Sequence, residues 1–504
     1  MRGRPSTVAA MFSSTVDRVG DRLALVDGSE RRTWDELAGD ARQLAGSLQA
    51  RGITPGSGVA IVLGNDRAFV TTFLAVELLG AMAVPLNPLF TPEELGRHLA
   101  GCEVAGCDVV GIVAEPDLVP VLRDRPYTAP GRRHPWVEDF ASFDNATSHT
   151  AAFHDVTVDP AAPALFAFSS GSTGTPKGMI RTNRNLAAEA DQFAATVDVT
   201  EDDVILAVVA LFHAHGLGNA LLAAIHSGAP LVLGRFERDA TLAAIKQERV
   251  TLFPAVPFIF HSLAETRRAQ RADLQTLRLC FSAGAPLSQA TFDLFHDRFG
   301  HPIRQLYGCS EAGSVTINLD DDATGSWDSV GRPMSGIDVA VIDDDGVCHA
   351  RGATGEITFR SDALTAGYVA EGESANEMFD GGWFRTGDLG RLDDAGNLFV
   401  TGRTKLFIST SGFKVDPFEV EAVIRAQPGV ADVVVVGAQG DRGEEIVKAV
   451  VVRDDPEADE SPLRRDLLAA CKAQLAAFKV PRIVEFRDEI PRSPLGKILR
   501  KYLV

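Results

Sequence analysis

Residues Phe166 to Gly178 read Phe-Ala-Phe-Ser-Ser-Gly-Ser-Thr-Gly-Thr-Pro-Lys-Gly. An apolar, strand-like lead-in from Ala164 to Phe168 ends in a loop of glycines and hydroxyls with one proline and one lysine. Such a loop suits a polyphosphate. Glycines let backbone N–H groups approach phosphate oxygens, hydroxyls add donors, and the lysine offsets charge. The loop is not the P-loop of nucleotide triphosphatases, because Pro176 stands where that pattern has its second glycine and Gly178 where it has Ser or Thr. Standing alone, it would read as a mobile Gly/Ser surface loop.

Five further stretches carry chemistry-bearing residues. In Leu211-Phe212-His213-Ala214-His215-Gly216-Leu217-Gly218-Asn219 the histidines would share a face only in a β-strand, and no third metal ligand lies nearby. The expected arrangement is a strand end with His213 aimed into a cleft and Gly216, Gly218 and Ala220 leaving room for a substrate. His215 reads as a hydrogen-bonded histidine at a helix start. Ser282-Ala283-Gly284-Ala285-Pro286 is a tight turn against which a flat ring could lie. Gly308-Cys309-Ser310-Glu311 sets a carboxylate beside a hydroxyl at a strand end, which suits Mg²⁺ with its preference for few protein oxygens plus substrate phosphates; a solvated loop acid is the competing reading. In Thr386-Gly387-Asp388 the carboxylate can accept both hydroxyls of a ribose. Near the end, Pro491-Arg492-Ser493-Pro494-Leu495-Gly496-Lys497 frames one lysine. Asp320 to Asp322 and Asp343 to Asp345 read as solvated turn acids.

The elements that must position these residues alternate. Strands are expected at Leu23 to Asp27, Val59 to Leu63, Ala83 to Leu86, Val204 to Val209, Leu231 to Leu233, Leu252 to Ala255, Leu277 to Phe281 and Ile303 to Tyr307. Between them, helices are expected from Trp34, capped by Thr33, to about Arg51, then at Phe69 to Leu79 and Asn185 to Thr196. Alternation of this kind predicts an α/β architecture with mainly parallel sheets. Short alternating strands from Val339 to Phe359 predict a β-rich subdomain, and Ala114 to Asp159 reads as an irregular surface connection. Beyond Gly402 two helices and two strands predict a small α+β domain, so the expected domains are 1–402 and 403–504.

Composition bounds the reading. At 504 residues the chain exceeds one ordinary core. Its 49 Lys and Arg against 68 Asp and Glu, a net charge of -19, argue against nucleic acid or an anionic membrane as partner. The six scattered cysteines read as reduced thiols rather than a zinc site. Met1 to Val16 has no adequate apolar stretch for a secretory signal, and no run reaches membrane-spanning length, so a cytoplasmic enzyme is expected.

The Gly/Ser-rich loop, the Tyr307-Gly-x-Ser-Glu311 turn, the Thr-Gly-Asp388 turn, the Gly-Arg-Thr-Lys junction at 402–405 and the terminal Gly496-Lys497 stand in one order over nearly the whole chain. Together they closely resemble the adenylate-forming superfamily of acyl-CoA synthetases, peptide-synthetase adenylation domains and beetle luciferases. By that resemblance Ser169, Ser170, Gly171, Ser172, Thr173, Gly174 and Lys177 hold the β- and γ-phosphates of ATP. Gly284, Ala285 and Pro286 border the adenine, Tyr307 stacks on it, Ser310 contacts the α-phosphate and Glu311 binds Mg²⁺. Asp388 holds the ribose, assisted by Arg403. Lys405 is the hinge of a mobile C-terminal domain, and Lys497 is the lysine of adenylation. His213 matches a position that gates the acyl pocket, with His215, Gly216, Asn219, Ser282 and Gly308 as further pocket residues.

The implied activity is activation of a carboxylic acid to acyl-AMP with release of pyrophosphate, followed by thioester formation with CoA. The alternative acceptor is the phosphopantetheine of a carrier protein, for an aliphatic, aryl or β-amino acyl group. Amino-acid-activating relatives carry an aspartate in the segment matching Phe212 to Asn219, and this chain has none, which favours a fatty or other apolar acid without an α-amino group. Leu406 and Phe407 stand where the family has an acid or polar residue, and Ser411-Gly412 where many CoA ligases have Gly-Gly. These departures bear on the acceptor. A catalytically silent nucleotide-binding protein is disfavoured because Lys177, Glu311, Asp388 and Lys497 are all present.

Overall fold

Gly58–Val62 has no polar side chain and is buried at every position, and a strand of that kind must be covered on both faces. The computed structural model describes residues 5–124, 134–144, 153–169, 177–266, 274–342, 351–369, 378–403, 408–410, 412–440, 444–455, 458–491 and 503. Gly58–Val62 lies inside a seven-stranded sheet, ordered Tyr368–Val369, Lys177–Thr182, Pro163–Ser169, Met82–Pro85, Gly58–Val62, Val109–Ala114, Trp136–Asp139. A nine-stranded sheet has the order Arg332–Pro333, Gly313–Ile317, Ile303–Cys309, Leu279–Ser282, Leu252–Ala255, Ile205–Ala207, Leu231–Leu233, Leu23–Asp27, Glu30–Thr33. Its six central strands pair in parallel, and antiparallel strands close its edges.

One apolar core serves both sheets. It takes Val59 and Ile61 from the first, Leu25, Ile205 and Leu231 from the second, and Leu186, Ala190 and Phe193 from the helix Asn183–Val197. The helix Trp34–Ala50 begins where expected: Thr33 accepts from the Glu36 N–H, and the Glu36 carboxylate accepts from the Thr33 N–H. Its Leu37, Ala41, Leu44 and Leu48 form the buried stripe. A third sheet, all antiparallel, comprises Asp338–Ile342, Gly355–Arg360, Trp383–Leu392, Phe379–Asp380 and Leu398–Arg403.

One expectation needs correction. The stretch Ala114 to Asp159 is not wholly irregular, since Trp136–Asp139 pairs in parallel with Val109–Ala114 at the sheet edge. The strand is too short to show periodicity, and its anchor is Trp136, which fills the space a side chain at Gly111 would need: a Cβ there would lie 2.1 Å from the indole. Ahead of the first strand stands a helix that the sequence analysis did not anticipate, Val8–Val19, capped by Thr7, which buries Val8, Met11, Phe12 and Val19.

The chain divides into two compact units, one of residues 1–88, 99–168 and 178–403, the other of 89–98, 169–177 and 404–504. In the second unit Val430–Gln439 pairs antiparallel with Glu445–Arg453, which pairs in parallel with Ile483–Arg487. Val433, Val435, Val447, Ala449 and Val451 pack there with Val420 and Ile424 of the helix Pro417–Arg425 and Leu467 of the helix Glu460–Gln474. Among the described residues no helix is long and apolar enough to cross a membrane.

Candidate active site

In an open parallel sheet, ligand groups gather where strands end at their carboxyl edge. Four neighbouring parallel strands of the nine-stranded sheet do this together. Ile205–Ala207 runs out toward His213, and Leu252–Ala255 ends beside it. Leu279–Ser282 leads into Gly284, Ala285 and Pro286, and Ile303–Cys309 into Ser310 and Glu311. Residues more than ninety positions apart in sequence thus share one edge.

Asn65 fixes the first of these runs. Its buried amide donates to the carbonyls of Ala207 (3.0 Å) and Val209 (2.8 Å) and accepts from the Leu211 N–H at 2.8 Å. Beyond it, His213 is exposed, lies 4.7 Å from the Phe212 ring, and precedes the helical turn Ala214–Gly216 and the π-helical Leu217–Leu222. It begins a helix rather than ending a strand. The missing side chains of Gly216 and Gly218 do not open space for a ligand. A Cβ at Gly216 would lie 2.3 Å from the Ala210 carbonyl oxygen, and one at Gly218 1.8 Å from a carboxylate oxygen of Glu189.

His215, Asn219 and Ser314 form one chain of hydrogen bonds. The Ser314 hydroxyl donates to Asn219 Oδ1 (2.7 Å), Asn219 Nδ2 donates to His215 Nδ1 (2.8 Å), and His215 Nε2–H donates to the Ala255 carbonyl (3.0 Å). A carbonyl can only accept, which fixes the proton on Nε2 and leaves Nδ1 as the acceptor. Burial holds the imidazole neutral, with its pKa lowered to about 4. The same Ala255 carbonyl accepts from the Ala283 N–H at 3.2 Å, so the chain also steadies the Ser282 turn. In that turn Gly284 has φ +85° and is exposed, Pro286 is exposed and Ala285 half-buried, while Ser282 is buried and its hydroxyl has no partner.

At the next strand end the Tyr307 hydroxyl donates to Asp388 Oδ2 at 2.7 Å, joining positions 81 apart. Burial, with Asp388 alongside, pushes the phenol pKa up. Asp388 stands on Trp383–Leu392 opposite the backbone of Arg403. The turn before it needs glycine: Gly387 has φ +72°, and its N–H donates to Glu356, which the Arg385 guanidinium also holds. Gly308 is tightly packed, since a Cβ there would meet the Gly313 carbonyl oxygen at 2.3 Å. Ser310 is half-buried.

Glu311 is buried rather than solvated. Its carboxylate accepts from the Tyr368 hydroxyl, and its carbonyl accepts from the Thr365 N–H at 2.8 Å. Among the described residues no cluster of three His, Cys, Asp or Glu could cage a metal. A lone, inward-held carboxylate fits an ion that draws most of its ligands from substrate phosphate and water.

Ser170, Gly171, Ser172, Thr173, Gly174, Lys405 and Lys497 lie outside the described residues, as do Leu406, Phe407, Ser411 and the turn at 343–346. Ser169 ends one strand and Lys177 begins its neighbour in the seven-stranded sheet. Sequence reasoning missed Asn65, Tyr368 and the buried pair of Arg181 and Glu189. For the pair a signal existed: Arg181 interrupts the apolar run after Met179 and Ile180, and Glu189 falls on the helix face of Leu186 and Phe193.

The chain is 32% identical to the long-chain-fatty-acid–CoA ligase FadD13 of Mycobacterium tuberculosis, over 94% of this chain and 92% of that protein. It is 33% identical to the indoleacetate–CoA ligase of Aromatoleum aromaticum, over 92% and 91%. Among solved structures it superposes on a double mutant of the o-succinylbenzoate CoA synthetase MenE of Bacillus subtilis, bound to a product analogue, with a TM-score of 0.86 and 26% identity over 98% of both chains. Residues 12–369 match the AMP-binding enzyme family and residues 419–497 the AMP-binding enzyme C-terminal domain. The chain belongs to the family of AMP-binding enzymes, the adenylate-forming superfamily that its motifs resemble.

Proposed function

We propose that this protein is an AMP-forming acid–CoA ligase that activates a fatty or other apolar carboxylic acid with ATP. The observation that carries the reading is the Tyr307–Asp388 hydrogen bond at a strand edge shared with the Gly284 turn and Glu311, an edge suited to a nucleoside with its phosphates. Asp388 accepts the ribose hydroxyls with Arg403 nearby, Tyr307 offers its ring to the adenine against Gly284, Ala285 and Pro286, and Ser310 donates to the α-phosphate. Glu311 would hold Mg²⁺, which when bound neutralises charge on the phosphates. Ser169, Ser170, Gly171, Ser172, Thr173, Gly174 and Lys177 would enclose the β- and γ-phosphates.

The chemistry follows from charge. A carboxylate is a poor acyl electrophile. Its oxygen therefore attacks the α-phosphorus of ATP, the bond to the bridging oxygen breaks, and pyrophosphate leaves. The acyl adenylate then loses AMP to the CoA thiol. Two anions meet in the first step, so Lys497 acts by electrostatic stabilisation and no covalent enzyme nucleophile is needed. Rotation of the 403–504 domain about Lys405 would exchange Lys497 for the Gly412 face before the thiol enters. The relatives named for long-chain fatty acids and for indoleacetate support an apolar acid, as does the absence of an aspartate between Phe212 and Asn219.

The test supplies purified protein with ATP, Mg²⁺, CoA and a panel of aliphatic, aryl and amino acids, and measures pyrophosphate release and acyl-CoA by mass. Apolar acids should give one AMP and one thioester per turnover. Pyrophosphate release with amino acids only, or with no acid at all, would refute the reading.

A further inference from the structure

Arg181 and Glu189 form an ion pair sealed inside the first unit. Arg181 Nη1 donates to Glu189 Oε2 at 2.7 Å, with the two side chains 1% and 2% exposed. As a device for stability this is poor, because desolvating two charges consumes most of what their attraction returns, and an apolar pair of like volume commonly serves as well. The pair is also incompletely satisfied: Arg181 Nε and Glu189 Oε1 have no hydrogen-bond partner.

The remaining contacts show where the pair acts. Arg181 Nη2 donates to the Ala363 carbonyl (3.0 Å) and the Ala312 carbonyl (3.3 Å), with a longer contact to the Asn185 carbonyl (3.4 Å) on the helix that carries Glu189. Ala312 follows Glu311 directly. Ala363 opens the segment whose Thr365 N–H holds the Glu311 carbonyl and whose Tyr368 hydroxyl holds the Glu311 carboxylate. One guanidinium therefore grips both pieces of backbone between which Glu311 is set. Glu189 orients that guanidinium, and its other oxygen is wedged between two glycines. A Cβ would lie 2.0 Å from it at Gly313, which closes the Glu311 turn, and 1.8 Å from it at Gly218, in the segment after His213. The distance between that segment and the Glu311 turn is thus set by one carboxylate.

We propose that Arg181 and Glu189 are positioning residues for the adenylation step: Arg181 fixes the Glu311 turn through Ala312 and Ala363, and Glu189 spaces that turn from the Gly218 segment. The proposal rests on the reading of Glu311 as the carboxylate that receives the metal of metal–ATP.

The test measures binding of Mn²⁺–ATP by electron paramagnetic resonance together with kcat and KM for acid and ATP in the full-length protein. Arg181→Lys keeps the positive charge but cannot hold two carbonyls and Glu189 from one planar group. The double variant Arg181→Met/Glu189→Leu removes the charges and fills the space. Affinity is read well below each variant's melting temperature, where nearly all chains are folded, because a folding equilibrium would itself weaken the apparent affinity. Both variants should bind Mn²⁺–ATP roughly tenfold more weakly, the size expected for a hydrogen bond to a charged group. The double variant should keep this defect even where its melting temperature equals that of the wild type. Wild-type affinity in Arg181→Lys and in the double variant, beside weakened binding in Glu311→Gln, would overturn the proposal alone. Unchanged affinity in Glu311→Gln would overturn the reading of Glu311 on which it stands.

Discussion

The protonation state of His215 is dictated by its neighbours at both ring nitrogens. Its Nδ1 must accept from Asn219 while its Nε2–H serves Ala255, and only the neutral ring can do both. In the unfolded chain an imidazole takes up a proton near pH 6.5, whereas burial holds this one neutral down to about 4. Between those values the unfolded state binds more protons, so stability falls as pH drops through that window and levels off below it. The whole effect is worth up to about 3 kcal/mol. Urea unfolding of the wild type and of His215→Gln at pH 8, 6, 5 and 4 checks this. The two free energies should converge toward acid pH, and parallel curves would remove the argument.

At the scale of elements, the helix Arg67–Leu78 shows what packing demands and what it tolerates. It is buried from Phe69 to Leu78, capped by the Asp66 carboxylate, and carries Glu77 at 0% exposure with neither carboxylate oxygen partnered. Burial drives this carboxyl well above its ordinary pKa. A raised carboxyl contributes fully below the unfolded value near 4.5, and its contribution is lost as pH rises toward the folded one. Glu77→Met should therefore stabilise the protein at pH 8 by about 1–3 kcal/mol, the cost of an unpaired buried polar group, and by less at pH 5. Equal melting temperatures of variant and wild type at pH 8 would contradict it. The helix itself was legible, because a long, mainly apolar run closed by glycine has few other homes. The strands Leu231–Leu233 and Leu252–Ala255 were legible for the same reason. Trp136–Asp139 was not, since a four-residue edge strand owes its place to a neighbour's glycine rather than to any pattern of its own. Asn65, Arg181 and Tyr368 escaped for a related reason: each bonds to groups 57 to 182 positions away, and no local spacing encodes that.

For the whole molecule, the acidic surplus of 19 charges frames the problem of binding a polyanion and a carboxylate together. At physiological ionic strength the distant field is screened beyond about 8 Å, so attraction must come from cations placed within a few ångströms of the phosphates. On the function proposed above those cations are Lys177, after the Gly/Ser run, and Lys497, after Gly496, both in loops whose composition alone singles them out. Lys497 lies over ninety positions beyond Arg403, where the first compact unit ends. If its charge is needed only while the two anions combine, the half-reactions should separate. Lys497→Ala should lower acid-dependent ATP–pyrophosphate exchange by roughly 10² or more, the loss seen when a preorganised transition-state donor is removed. ATP should still bind, and thioester formation from acyl adenylate supplied ready-made should proceed near the wild-type rate, because that step has no second anion to bring in. Exchange at the wild-type rate would release Lys497 from its role. Equal loss in both half-reactions would mean that the residue holds the fold or the nucleotide instead of the transition state.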